Sequence, residues 1–102
     1  MNPELARHKA EIEHLCRRYH VRRLELFGSA VAGSFRPGES DLDFLVEFEP
    51  LPAGAYADTY FGLLEALERL CGVPADLVVA SAIKNPYFRQ AVDQTKTLLY
   101  EA

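Results

Sequence analysis

With 102 residues, of which 49% are hydrophobic and 25% charged, the chain is sized for one domain over residues 1–102 with one core. No run approaches the ~18 apolar residues that a membrane span needs, and the mixed-charge start MNPELARHKAEIEHLCRRY lacks a secretory pattern. A cytoplasmic location without membrane association is therefore expected. A net charge of −4 argues against a broad nucleic-acid footprint and leaves a nucleotide, whose charge a metal offsets, admissible.

Pro3 suits a first helical turn, and Leu5, Ile12, Leu15, Cys16 and Tyr19 recur at helical spacing, predicting one amphipathic helix over 3–20. Val21 to Phe27 is a strand, half regular in its alternation. Ser29 to Gly33 reads as a brief helix and FRPGES as a turn. A strand follows over 41–48, then a loop whose two prolines bar it from a central strand. Asp58 or Thr59 is the expected cap of a helix running to Leu70, with Phe61, Leu64, Leu67 and Leu70 or Cys71 on one face and Gly72 as its end. ADLVVA at 75–80 reads as a short buried strand. Asn85 caps a last helix with Pro86 at its first position, and KTLLYEA closes as an edge strand. The expected fold class is α/β (α+β), a single mixed sheet of three to four strands flanked by helices.

Two segments carry chemistry. Gly28-Ser29 ends an apolar run, where a residue without a side chain lets backbone approach an anion and Ser29 opens a helix. Asp41 and Asp43, two apart on a strand, project to one face, while Leu42 and Phe44 project to the other. Carboxylates held so close repel unless a proton or cation lies between them, and magnesium takes such hard oxygens together with substrate phosphate. Metal-assisted phosphoryl chemistry commonly uses one more acid. Of Asp58, Asp76 and Asp93, Asp76 is favoured, because it opens the one other strand that reads as central; punctuation of a strand entrance is its plainer role.

Other features invite plainer readings. His8, His14 and His20 are six residues apart, which turns a helix by about 600°, so they do not converge on one ion. Cys16 and Cys71 fit reduced, packed thiols. Arg17, Arg18, Arg22 and Arg23 suit a solvated helix end, with a phosphate or acidic-partner contact as the sharper alternative. Tyr56, Tyr60, Phe61 and Phe88 suit core or rim packing, with adenine stacking or partner binding as the alternative.

The run LFGSAVAGSFRPGESDLDFLVEF resembles the signature of the nucleotidyltransferase superfamily that includes DNA polymerase beta, and the short length resembles its minimal nucleotidyltransferase (MNT) branch. The resemblance extends over nearly the whole chain and implies the nucleotidyltransferase fold. It implies that Gly28 and Ser29 hold the triphosphate, that Asp41 and Asp43 ligate magnesium, and that Asp76 is the third catalytic carboxylate and metal ligand, with two ions in all. Two departures stand out. Ala30, Val31 and Ala32 occupy the short helix where many minimal members carry arginine, which leaves Arg36 as the substitute phosphate contact. Eleven residues separate Ser29 from Asp41 where ten is usual, and the PGES turn absorbs the extra one.

Proteins of the family this chain resembles are frequently paired with a small all-helical HEPN protein as toxin and antitoxin. The resemblance implies transfer of AMP from ATP to a tyrosine of that HEPN toxin, with the acceptor completing the site. An antitoxin acting by occlusion alone is the competing class; clustered carboxylates discriminate against it. Transfer to RNA or a small molecule such as an aminoglycoside keeps the chemistry and changes the acceptor.

Overall fold

The computed structural model describes residues 3–32 and 41–102. Its elements are α1 (Pro3–Arg7), α2 (Lys9–Arg18), β1 (Val21–Phe27), α3 (Ser29–Ala32), β2 (Leu42–Phe48), α4 (Tyr56–Cys71), β3 (Ala75–Val79), a 3-10 turn (Ala80–Ala82), α5 (Pro86–Thr95) and β4 (Thr97–Glu101). The strands form one four-stranded sheet in the order β3-β2-β1-β4. β1 is antiparallel to both β2 and β4, whereas β2 and β3 run parallel, so the sheet is mixed. The parallel pair is joined through α4, as a crossover connection requires. No helix among the described residues is long and apolar enough to cross a membrane.

Alternation along the strands gives the sheet two different faces. Leu24, Leu26, Leu42, Phe44, Val46 and Leu77 point to one face and bury against Leu5, Ile12 and Cys16 of the first two helices and Leu63 and Leu67 of α4. Phe27 and Leu45 point to the other face, where Val92 of α5 and Ala80 cover them. Asp43 and Asp76 lie between residues of the first face and therefore belong to the second. Burial pushes the Cys16 thiol up to about 12, with Glu13 adding to the shift, so this cysteine is a packed, unreactive thiol.

The first helix is not continuous. His8 leaves helical geometry (φ −102°, ψ 18°) and separates α1 from α2, although no glycine or proline breaks the sequence there. Both segments still turn their apolar residues, Leu5, Ile12 and Cys16, into the same core. α4 begins at Tyr56, earlier than either expected cap; Ala55 precedes it without a side-chain cap, and the Thr59 hydroxyl instead donates to the Ala55 carbonyl at 2.8 Å. Its buried face centres on Leu63 and Leu67, whereas Phe61 is 58% exposed. Gly72 ends it in the left-handed conformation (φ 72°), and its N–H donates to the Glu68 carbonyl. Asn85 caps α5 by accepting from the N–H groups of Tyr87 and Phe88, with Pro86 in the first turn. β4 is an edge strand, as expected from KTLLYEA. β3 departs from expectation: it forms the other edge of the sheet and ends at Val79, because the chain turns through the 3-10 segment instead of continuing.

Candidate active site

The site is assembled where β1 ends and β2 and β3 begin. Antiparallel pairing puts Phe27 opposite Asp43, and parallel pairing puts Asp43 opposite Asp76. Phe27, Asp43 and Asp76 thus fall in a row across three neighbouring strands, and Gly28 follows Phe27 directly. Asp41 precedes β2 and is exposed, yet its charge reaches Asp43. The Asp43 carboxyl is held above its ordinary value of 3.8 first by burial, then by the charges of Asp76 and Asp41, and last by a hydrogen bond with Asp76.

Gly28 has φ +77°, and a Cβ at that position would lie 2.5 Å from Oδ2 of Asp43. Glycine is therefore required twice, by backbone conformation and by its packing against the carboxylate. Ser29 opens α3, and the Gly28 carbonyl accepts from the N–H of Val31 at 3.1 Å, so the chain turns immediately after β1. The Gly28 N–H is held by Oγ1 of Thr95 at 3.0 Å, so this amide faces α5 while Gly28's open side faces the carboxylates. Arg36 lies outside the described residues, as does the PGES turn.

The other aspartates are elsewhere. Asp93 pairs with Lys96 at 3.1 Å on the surface, and Asp58 is exposed in the first turn of α4. The arginine cluster is also distant: Arg22 and Arg23 start β1 and Gly28 follows its end, roughly 15–20 Å away along a strand. Arg23 instead pairs with Glu25 and Glu101, each at 3.3 Å, and Arg17 pairs with Glu13 and lies over Tyr100. Arg17 and Arg23 are thus engaged within the chain, as a solvated helix end and strand start would have them.

Thr95 carries no signal in the sequence, and Tyr60, expected only as a packing or stacking aromatic, has a hydrogen-bonding role that the sequence does not show. The Tyr60 hydroxyl donates to the Leu77 carbonyl at 2.5 Å, on the open edge of β3 next to Asp76. Burial raises its pKa, with further contributions from Tyr56 and Asp76. Tyr60 stacks on Tyr56, while Phe88 packs edge-on against Phe27. The contacts of Thr95 with Gly28 and of Tyr60 with Leu77 have no local signal, because strand pairing and helix docking bring together residues distant in the chain.

Among the described residues no three His, Cys, Asp or Glu side chains are already gathered as a metal cage. What exists is a carboxylate pair in contact, Asp43 with Asp76, and a third carboxylate near enough to raise the Asp43 pKa. Such a pair requires a proton or a cation between its members, and its all-oxygen donor set fits magnesium.

Residues 9–98 match the nucleotidyltransferase domain family. The chain belongs to that family. One nucleotidyltransferase relative, the protein adenylyltransferase MntA of Thermococcus cleftensis, is 38% identical over 81 residues, spanning 79% of this chain and 75% of the relative. A solved structure of a candidate minimal nucleotidyltransferase is 33% identical, covers 91% of this chain and 90% of its own, and superposes with a TM-score of 0.73. More distant solved structures share the fold. A toxin–antitoxin complex with AMP-PNP has a TM-score of 0.69 at 21% identity, covering 92% of this chain and 73% of that one. A complex of tri-AMPylated Shewanella oneidensis HEPN toxin with its MNT antitoxin has a TM-score of 0.64 at 18% identity, covering 96% and 73%.

Proposed function

We propose that this chain is a magnesium-dependent protein adenylyltransferase. It transfers AMP from ATP to a hydroxyl, a tyrosine, of an all-helical HEPN partner, and so acts as the antitoxin of a toxin–antitoxin pair. The observation that carries the reading is the contact between Asp43 and Asp76 directly beside Gly28. A scaffold that only occludes its partner has no physical need for carboxylates brought together at the cost of mutual repulsion. Membership of the nucleotidyltransferase family supports the reaction class. The name of the MntA relative supports the protein acceptor, and the AMPylated HEPN toxin bound to an antitoxin of the same fold supports the kind of partner.

In this reading Asp41, Asp43 and Asp76 hold the metal. Magnesium, when bound, supplies positive charge to the triphosphate and the departing pyrophosphate. Gly28 leaves room for phosphate oxygens against the backbone, and Ser29 offers its hydroxyl beside them. The carboxylates would fix the metal's place beside the α-phosphate, and one of them accepts the proton of the attacking hydroxyl. A bond forms between the acceptor oxygen and the α-phosphorus, the bond to the pyrophosphate oxygen breaks, and one proton is released.

The test is intact-mass measurement of the HEPN partner after incubation with this protein, ATP and magnesium. Addition of AMP by the wild type and its loss with Asp41→Asn plus Asp43→Asn are expected. Neutralisation of the partner with no adduct would establish occlusion instead, and label appearing in RNA or a small molecule would reassign the acceptor.

A further inference from the structure

We infer that Thr95 is a positioning residue for the phosphate turn, setting Gly28 against the carboxylate pair from the end of α5. The inference rests on the nucleotide-binding reading above and adds a residue to it.

The argument begins with strand register. In the β1–β4 pairing Glu25 faces Leu98 and Leu26 faces Thr97, so one more pair of steps along the ladder sets Gly28 opposite Thr95. A strand would satisfy the Gly28 N–H there with a backbone carbonyl. The chain instead becomes helical: Thr95 is the last residue of α5, and β4 begins only at Thr97. The Thr95 hydroxyl takes over as acceptor, at 3.0 Å from the Gly28 nitrogen. Its own proton is directed at the Ala91 carbonyl, 3.5 Å away within α5. The hydroxyl therefore presents a lone pair to Gly28 and continues the ladder by one side chain.

This bond has a consequence at the site. Gly28 sits in the left-handed region against Asp43, where a Cβ would come within 2.5 Å of the carboxylate. With no side chain to anchor it, its place is set by its backbone bonds, and Thr95 supplies the one to its amide. The helix carrying Thr95 is itself fixed at its other end, where Arg89 donates to the Ala80 carbonyl at 2.9 Å beyond β3. α5 thus ties the turn after β1 to the strand that carries Asp76.

The experiment compares wild type, Thr95→Val and Thr95→Ser by calorimetric titration with AMP-PNP and magnesium, by melting temperature, and by exchange of the Gly28 amide. Thr95→Val keeps the shape and removes the acceptor; it is expected to weaken AMP-PNP binding about five- to tenfold, the loss of one hydrogen bond, and to speed Gly28 exchange. Thr95→Ser restores both. A residue that merely stabilised the fold would lower the melting temperature and leave the affinity of the folded protein unchanged. Wild-type affinity in folded Thr95→Val, or equal loss in Thr95→Ser, overturns the inference. Failure of the wild type itself to bind AMP-PNP overturns the proposed function and this inference with it.

Discussion

Asp43 and Asp76 occupy partnered positions on the parallel strands β2 and β3 and share a hydrogen bond between their carboxyl groups. That contact couples fold stability, proton binding and metal binding in one place.

Without divalent metal, Asp43 has a folded-state pKa raised above 3.8. Its favourable contribution is complete below the unfolded value and is lost as pH rises through the folded one. Asp43→Asn should therefore match the wild type's melting temperature in acid and exceed it by a few degrees at pH 7, each kcal/mol corresponding to about 4–8 °C. Melting curves in EDTA across that range check the sign; equal values at pH 7 would remove the basis for mutual repulsion.

The same coupling predicts proton–metal competition. Manganese, used as a spectroscopic stand-in for magnesium, should bind more tightly as pH rises through the Asp43 titration, and Asp76→Asn should flatten the dependence. Electron paramagnetic resonance of free manganese measures it directly, and pH-independent binding would contradict a site built on this pair.

Gly28→Ala should cost at least about 1 kcal/mol in stability from the left-handed backbone alone. It should also lower adduct formation by about a hundredfold, because the new methyl displaces the Asp43 carboxylate. Chemical denaturation and intact mass give the two effects separately.

His20 is the one non-glycine residue with positive φ (58°) among those described, at the turn where its carbonyl accepts from Glu49. His20→Gly should stabilise the protein by about 0.5–1 kcal/mol, the relieved strain less the added flexibility of the unfolded chain. A fall in stability would show that the imidazole makes contacts worth more than the strain.

Tyr60→Phe should cost about 1 kcal/mol by leaving the Leu77 carbonyl at the β3 edge without its donor. Thermal unfolding reads the loss, and a stability equal to wild type would mean that water satisfies that carbonyl as well.

The sequence by itself determined the order of strands and helices, the glycine turn after LELF and the placing of Asp43 on the face opposite Leu42 and Phe44. Each of these follows from local chemistry: hydrophobic period, capping residues, and the freedom of glycine. It also singled out Asp76 among three aspartates, although on the premise of a central strand, and β3 proved to be an edge. What brought Asp76 to Asp43 was register, since a slip of one residue would have turned the carboxylate into the core face. Only the tertiary structure decided that the helix expected over 3–20 breaks at His8, and that α4 buries Leu63 in place of Phe61. It alone placed Thr95 on Gly28, 67 residues apart in the chain. Contacts at such separation depend on how helices dock on a finished sheet, and no local pattern encodes them.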